Sequence, residues 1–234
     1  MKKTIYKYLI FIFIINFNTD IKLVFSLLKN KKIRGFLNVI ALCEGTKKKH
    51  AKTFEDNAPS LNEYKVAFIN AEKINDLTTY PNKLFCGDIR HGKVCASAAG
   101  RYQFIKHTWH HLEKKIKPNE VYKKYPELFD NYFLELPILY QKDIVNFYQT
   151  PSDLGKYKFG PFWQDFYAVI LLIEKNTISD ILNGNYKELI TKAAKTWSTL
   201  PKNASGKSFY ESKINHAQKL QYTLKICKKY IGNN

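Results

Sequence analysis

A glutamate directly follows an apolar stretch early in the chain, where its carboxyl group is suited to general acid chemistry. Phe36, Leu37, Ile40 and Ala41 recur at helical spacing before Glu44, and a glycine, a suitable helix stop, comes next. The negative end of a helix and nearby apolar surface both disfavour a carboxylate, so both raise the pKa of Glu44. A carboxyl protonated near neutral pH can donate a proton, although the same local pattern is typical of a solvated last-turn residue.

Three histidines suggest a metal site that the rest of the sequence does not support. His107 and His111 lie four residues apart on a predicted helix, as metal-binding pairs often do, with His110 between them. No acidic third ligand can be assigned beside them, and the four cysteines lack the paired spacing of a zinc knuckle. We therefore expect surface histidines, no metal and no other cofactor.

Two of the four cysteines have a spacing that fits a hairpin. Cys86 and Cys95 lie nine residues apart and flank two glycines. In an oxidising compartment this arrangement favours a disulfide, whereas in the cytosol two small buried thiols explain it equally well. Cys43, beside Glu44, has no histidine or asparagine partner that the sequence identifies, and we do not predict it to be a nucleophile.

The elements that must position these groups indicate one mostly helical α+β domain. The chain has 234 residues, of which 45% are hydrophobic and 25% charged, and no long linker or internal repeat divides it. Apolar periodicity predicts helices over residues 32–44, 162–173, 186–197 and 209–230, and another from residue 98 with Ser97 as a candidate cap. A β-like run at residues 64–69 and the turn residues after it predict a small sheet or hairpins over 62–96.

The first residues have the composition of a targeting sequence. Lys2 and Lys3 precede a short apolar run at residues 8–15, which is typical of a secretory signal and too short to span a bilayer comfortably. No clear cleavage site follows, and a second apolar patch at residues 23–28 leaves an uncleaved membrane anchor open. We assign residues 1–25 to a signal peptide or anchor and expect export to the periplasm or the cell exterior.

The charge balance indicates anionic partners. Lysine and arginine number 38 against 20 acidic residues, a net charge of +18 that attracts polyanions such as a cell wall or a membrane surface. Because no arginine-rich reading helix, zinc-finger spacing or RNA-binding aromatic signature accompanies the charge, we expect no specific nucleic acid. A solvated basic surface without a specific partner explains the composition equally well. We expect the protein to be a monomer.

Four segments, in order, resemble the bacteriophage lambda endolysin family of lytic transglycosylases. They are residues 36–46 (Phe-Leu-Asn-Val-Ile-Ala-Leu-Cys-Glu-Gly-Thr), 80–84 (Tyr-Pro-Asn-Lys-Leu), 98–104 (Ala-Ala-Gly-Arg-Tyr-Gln-Phe) and 197–201 (Trp-Ser-Thr-Leu-Pro). Their separations are similar to those in the family, and the resemblance extends from about residue 30 to residue 230. It implies a lysozyme-like catalytic domain over residues 30–230, mostly helical with a small antiparallel sheet lobe, that binds peptidoglycan glycan strands in a groove.

The resemblance also implies roles for individual residues. Glu44 would protonate the glycosidic oxygen between N-acetylmuramic acid and N-acetylglucosamine, leaving a 1,6-anhydromuramic end formed without water. Gln103 would bind N-acetyl or hydroxyl groups of the sugar, and Tyr102 would offer an aromatic face, although burial in the core explains Tyr102 equally well. Thr46 would contribute to the site or cap the chain after the helix.

Two features depart from the family or leave its mechanism open. The lambda protein has a tyrosine where Ser205 stands, and Tyr210 is a candidate to supply that aromatic surface. No second acid lies at a motif position near Glu44. The region between the first and third matched segments contains Glu55, Asp56, Asp76 and Asp88, but none of these belongs to a matched motif. One acid suffices if the muramyl 6-hydroxyl attacks C1; the alternatives are a hydrolytic muramidase with a second carboxylate and a non-catalytic cationic wall-binding protein.

Overall fold

The computed structural model of the chain describes residues 20–47, 58–68, 72–89, 92–203 and 220–232. These residues form helices and one antiparallel hairpin. The helices are α1 (Ile21–Lys29), α2 (Lys31–Cys43), α3 (Leu61–Tyr64), α4 (Lys106–Lys115), α5 (Pro118–Lys124), α6 (Pro126–Leu134), α7 (Leu136–Leu139), α8 (Lys142–Phe147), α9 (Pro151–Lys156), α10 (Pro161–Glu174), α11 (Ile178–Asn183), α12 (Tyr186–Ala193) and α13 (Leu220–Ile231). The strands are β1 (Phe85–Ile89) and β2 (Gly92–Ala96).

Helix α10 forms the centre of the core, as its apolar sequence predicts. Its residues are buried on every side from Pro161 to Leu172. The proline at its first position has a φ already suited to a helix and lacks the N–H that would go unpaired there. Around α10 the aromatic rings pack closely; Phe25 from α1, for example, lies with ring centroids 5.2 Å from Phe129 and 5.4 Å from Phe162.

The folded domain begins before residue 30, which corrects the predicted boundary. In α1, Val24, Phe25 and Leu28 are at most 4% exposed and belong to the core, and Asp20 caps the helix by accepting two backbone N–H groups. The apolar patch at residues 23–28 is thus part of the domain, and a targeting segment that ended at residue 25 would divide α1. Residues 1–19 lie outside the described part of the chain. Among the described helices, none has the length and apolar character needed to cross a membrane.

The hairpin predicted within residues 62–96 is present, but it is shorter than the predicted region. Strands β1 and β2 pair so that Cys86 lies opposite Cys95, and a disulfide joins the two. Tyr64 belongs to the short helix α3 and not to a strand, since a capping box from Ser60 to Glu63 starts that helix. An isolated bridge between Ala67 and Ala99 joins this region to the following turn.

We expect reduction of the Cys86–Cys95 disulfide to lower stability. Closing a loop of nine residues stabilises a fold by about 2.5 kcal/mol in the chain-entropy model, which corresponds to a fall in Tm of roughly 5–10 °C. Thermal unfolding with and without reductant measures the effect, and the double variant Cys86→Ser/Cys95→Ser is the control, because reductant should not change its Tm. Two alkylatable thiols at these positions in protein purified without reductant would contradict the prediction.

Residues 99–104, here called the glycine turn, form a tight turn where the sequence predicts the start of a helix. Ala99 and Phe104 bridge each other, and both Gly100 (φ 77°) and Gln103 (φ 48°) adopt left-handed backbone conformations. A side chain at Gly100 would collide with the carboxamide oxygen of buried Gln164, so only glycine fits. Helix α4 therefore starts at Lys106, whose N–H donates to Ser97 Oγ at 3.0 Å.

A buried ionic network joins α2, α3 and the glycine turn to α10. Asp165 on α10 is fully buried, and three tyrosine hydroxyls donate to its carboxylate at 2.7–2.9 Å: those of Tyr64, Tyr102 and Tyr140. The guanidinium groups of Arg34 on α2 and Arg101 in the glycine turn lie 3.7 and 3.8 Å from the same carboxylate. Because five partners surround one charge, Asp165 fixes the position of α2 relative to the glycine turn.

Candidate active site

Glu44 lies at the C-terminal end of α2, as the sequence predicts. It is the C-cap residue, its N–H donates to the Ile40 carbonyl at 2.8 Å, and Gly45 ends the helix with a φ of 74°. The N–H groups of Thr46 and Lys47 fold back and donate to the Ala41 carbonyl at 3.0 and 3.2 Å. This closure is the usual way in which a glycine ends a helix, and it holds the Glu44 side chain at the helix end with only partial exposure.

A threonine from the distant end of the chain binds the Glu44 carboxyl group. Thr199 Oγ1 donates to Glu44 Oε1 at 2.6 Å. Thr199 belongs to residues 197–201, here called the proline turn. The buried side chains of Trp197 and Leu200 anchor this turn, and the Leu200 N–H donates to the Trp197 carbonyl at 3.0 Å. The fourth matched segment thus meets the first at the carboxyl group.

The surroundings of Glu44 favour its protonated form. Burial raises the pKa of Glu44 to about 7, against a smaller lowering effect of the hydrogen bond from Thr199. Burial also raises the pKa of the adjacent Cys43 thiol to about 12, and the Glu44 charge adds to the effect. Near neutral pH the site therefore presents a carboxyl group that can both donate and accept a proton, beside a thiol that stays neutral.

Thr46 has a structural role, which corrects its assignment to substrate binding. It is 8% exposed, and the single hydrogen of its hydroxyl is shared between the carbonyl oxygens of Arg101 at 2.7 Å and Ala41 at 3.1 Å. These bonds join the segment after Glu44 to the glycine turn. A hydroxyl hydrogen already directed at two buried carbonyls is not available to a sugar.

Tyr102 is a core residue, which corrects its assignment to substrate binding. It is 1% exposed, its hydroxyl donates to Asp165, and its ring packs edge-on against Phe104 at 6.0 Å. Its neighbour Gln103 is partly exposed, and its Nε2 donates to the Gly100 carbonyl at 2.9 Å and the Val66 carbonyl at 3.4 Å. Gln103 therefore keeps its amide oxygen as the group that can accept a hydrogen bond from a ligand.

The described acids near α2 do not include a second carboxylate free for chemistry. Glu63 is 8% exposed and accepts from Arg101 Nε at 2.8 Å, with Lys47 Nζ 3.3 Å away, so its charge is compensated within the fold. Asp76 is exposed and binds the backbone and hydroxyl of Thr78, which lowers its pKa, and Asp88 is exposed on β1. The remaining candidates lie outside the described residues: the acids Glu55 and Asp56, and the loop residues Ser205 and Tyr210.

The three histidines of α4, His107, His110 and His111, do not form a metal site with other described side chains. His110 contacts Asn82 Oδ1 at 2.8 Å and lies 3.5 Å from Glu113, on the surface of α4. In the described ranges no group of three or more histidine, cysteine, aspartate or glutamate side chains is arranged to hold a metal ion.

The sequence analysis missed Thr199 and Asp165, although each left a signal. Thr199 lies within the matched segment 197–201, but the site residues predicted in this region, Ser205 and Tyr210, belong to the loop that follows it. Asp165 is the one acid inside the apolar stretch 162–173, where a charge needs buried partners. In both cases the missing information was the partner, which lies 155 residues away for Thr199 and 101 residues away for Tyr64, one of the partners of Asp165.

Comparison with known proteins identifies the family and the fold. The model of the family described as Endolysin matches residues 34–126 and 139–226. A solved structure of bacteriophage lambda lysozyme complexed with a chitohexasaccharide is similar to this chain, with a TM-score of 0.53 and 21% identity over 86% of this chain and 94% of that chain. No curated protein matches. The structural likeness shows that the fold is lysozyme-like, mostly helical with a small antiparallel hairpin, as the sequence predicts.

Proposed function

Since this chain belongs to the endolysin family, we propose that it is a peptidoglycan lytic transglycosylase in which Glu44 is the general acid and base. Family membership and the lysozyme-like fold support a peptidoglycan-degrading, lysozyme-like activity. The chitohexasaccharide bound to the lambda lysozyme supports a glycan strand as the ligand. The single observation that carries the proposal is the partly buried Glu44 carboxyl group, bound by Thr199 at 2.6 Å.

The proposed reaction uses Glu44 twice. Its carboxyl proton passes to the oxygen that joins N-acetylmuramic acid to N-acetylglucosamine, and the bond from that oxygen to C1 breaks. The 6-hydroxyl oxygen of the same muramyl residue then bonds to C1, and its proton returns to the Glu44 carboxylate. No water is consumed. A pKa of about 7 suits both steps, because the group gives up and regains a proton near its own pKa.

Transglycosylation is favoured over hydrolysis by the state of the described acids. A retaining hydrolase needs a second carboxylate about 5 Å from the acid, and an inverting one needs a base farther away. Glu63, a buried acid among the described residues, is held by Arg101 of the glycine turn and by Lys47 and is therefore a poor nucleophile. An intramolecular 6-hydroxyl requires no such residue.

We further propose that the enzyme acts outside the cytoplasm. The Cys86–Cys95 disulfide supports an oxidising compartment, and the basic and apolar start of the chain supports export. The net charge of +18 would hold the protein near an anionic wall or membrane surface by long-range attraction. Fractionation of cells that produce the full chain tests this part, and recovery in the cytoplasm alone would contradict it.

Analysis of the products tests the reaction type. We expect purified peptidoglycan digested by the protein to yield glycan fragments that end in 1,6-anhydromuramic acid, each lighter by one water than the hydrolysis product. Mass spectrometry distinguishes the two ends, and a hydrolytic muramidase digest is the control for reducing ends. A product set with only reducing muramyl ends would show a hydrolase and would contradict the transglycosylase proposal.

A further inference from the structure

The Thr199 hydroxyl gives the two oxygens of the Glu44 carboxyl group different roles. We propose that Thr199 is a positioning residue that holds the acid proton on Glu44 Oε2, directs it at the substrate and stabilises the carboxylate left after proton donation. This inference rests on the proposed role of Glu44 and assigns a role to a residue outside α2 and the glycine turn.

The contact between Thr199 and one of the two carboxyl oxygens carries the first step. Thr199 Oγ1 lies 2.6 Å from Glu44 Oε1, and when Glu44 is ionised the threonine hydroxyl is the donor and Oε1 the acceptor. A neutral carboxyl group has one oxygen that accepts and one that bears the proton. Because Thr199 occupies Oε1, Oε2 is the oxygen left to carry the proton toward the substrate.

The strength of that bond changes during the reaction. A hydrogen bond to an ionised acceptor is roughly twice as strong as one to a neutral acceptor. As Glu44 gives its proton to the leaving oxygen, the charge that develops on its carboxyl group strengthens the bond from Thr199. An interaction that is stronger in the transition state than in the ground state accelerates the step, in this case by roughly tenfold.

The fold holds Thr199 independently of Glu44. Trp197 is 3% exposed and Leu200 is fully buried, and the N–H of Trp197 continues the α12 hydrogen bonding to the Ala193 carbonyl at 3.1 Å. The side chain between these anchors thus reaches the carboxyl group from a rigid turn, and the hydrogen bond costs little conformational entropy.

Among the described residues, the other ionisable groups around the site do not produce the same effect. On the Glu44 side, the Cys43 thiol stays neutral because burial raises its pKa to about 12, and from α13 the pKa of the Cys227 thiol is raised in the same way. Lys47 has its ammonium directed at Glu63. Beside the proline turn, Lys195 and Lys202 are exposed side chains, where solvent screens their charge.

The pH profile of cleavage tests the proposal. Thr199→Val removes the donor at nearly constant volume, and because the hydroxyl stabilises the ionised form, its loss raises the pKa of Glu44. We expect kcat to fall roughly tenfold below pH 6, while the limb where activity declines with rising pH moves up by about one unit from its wild-type position near 7. Thr199→Ser should restore both quantities.

The matched control is Thr191→Val on α12. It removes a threonine hydroxyl that donates only to a backbone carbonyl, that of Lys187 at 3.0 Å, and we expect a wild-type profile. If circular dichroism shows that Thr199→Val is unfolded, Thr199→Ala removes the same donor in a smaller side chain. A folded Thr199 variant with an unshifted profile, beside an inactive Glu44→Gln, would overturn this inference alone; an active Glu44→Gln would overturn the proposed function itself.

Discussion

Glu44→Gln is expected to abolish peptidoglycan cleavage while the protein stays folded and still binds glycan. The glutamine amide has nearly the shape of the protonated carboxyl group, and its oxygen can still accept the Thr199 hydrogen bond. It has no transferable acid proton, however, and general acid–base catalysis contributes about a hundredfold to ten-thousandfold. Release of soluble fragments from purified peptidoglycan measures the loss, and sedimentation with intact walls measures binding.

A second glutamate provides the matched control for this variant. Glu174 ends α10 on the surface, and its side chain pairs with Lys115 at 2.6 Å. Glu174→Gln makes the same chemical change far from the proposed chemistry, and a surface ion pair is worth at most about 1 kcal/mol, so activity should stay near that of the parent. If Glu44→Gln cleaved peptidoglycan as fast as Glu174→Gln, Glu44 would not be the acid.

Asp165→Asn is expected to destabilise the fold by about 3–5 kcal/mol. The change leaves the two guanidinium groups of Arg34 and Arg101 buried without the carboxylate that lies within 3.8 Å of both. It also turns one of two acceptor oxygens into a donor that faces tyrosine hydroxyls, three of which now donate to the carboxylate. A small domain is stable by only about 5–15 kcal/mol, so a large share of the total is lost. Urea unfolding followed by tryptophan fluorescence gives the difference.

A less connected buried acid is the control for Asp165. Asp180 on α11 is 6% exposed, but its described ionic partner is the partly exposed Lys192 at 2.8 Å, from which solvent is not excluded. We expect Asp180→Asn to cost about 1 kcal/mol or less. Equal unfolding free energies for the two variants would contradict the view that the Asp165 network holds α2 against the glycine turn.

Local patterns in the sequence determined the helices that carry the site and the centre of the core. The spacing of Phe36, Leu37, Ile40 and Ala41 and the glycine after Glu44 predict α2 and its end to within one residue, because burial of one helix face and a left-handed stop are local properties. The apolar stretch 162–173 predicts α10 for the same reason: a helix that is hydrophobic all round is buried.

The details of the glycine turn could not be read from local patterns. Tyr102 and Gln103 are neighbours, and which one is exposed depends on the left-handed backbone at Gly100 and Gln103. The side chain of the buried Gln164 accepts the N–H of Arg101 in this turn, from 63 residues further along the chain. Helical periodicity placed the start of α4 too early, because residues 99–104 form a tight turn in which Ala99 and Phe104 pair in an isolated bridge. Long-range partners of this kind leave no periodic signal in sequence.

The N-terminal boundary was misplaced for a different reason. Two apolar patches follow each other, and both resemble targeting sequence by composition alone. The residue that separates them is Asp20, whose side chain accepts the N–H groups of Lys22 and Leu23 and so starts α1. A capping aspartate before an apolar stretch is a recognisable helix start, and it is the signal that predicts a helix from Ile21 onward.

The most direct measurement is a crystal structure of the Glu44→Gln variant with a bound peptidoglycan glycan fragment that spans the cleavage point. Our account predicts that the amide nitrogen, which replaces Oε2, lies about 3 Å from the oxygen joining the muramyl and glucosaminyl residues, with Thr199 bound to the amide oxygen. A glycan bound with that linkage beyond hydrogen-bonding reach of residue 44, or in a groove on another face of the domain, would contradict the assignment of Glu44 as the proton donor.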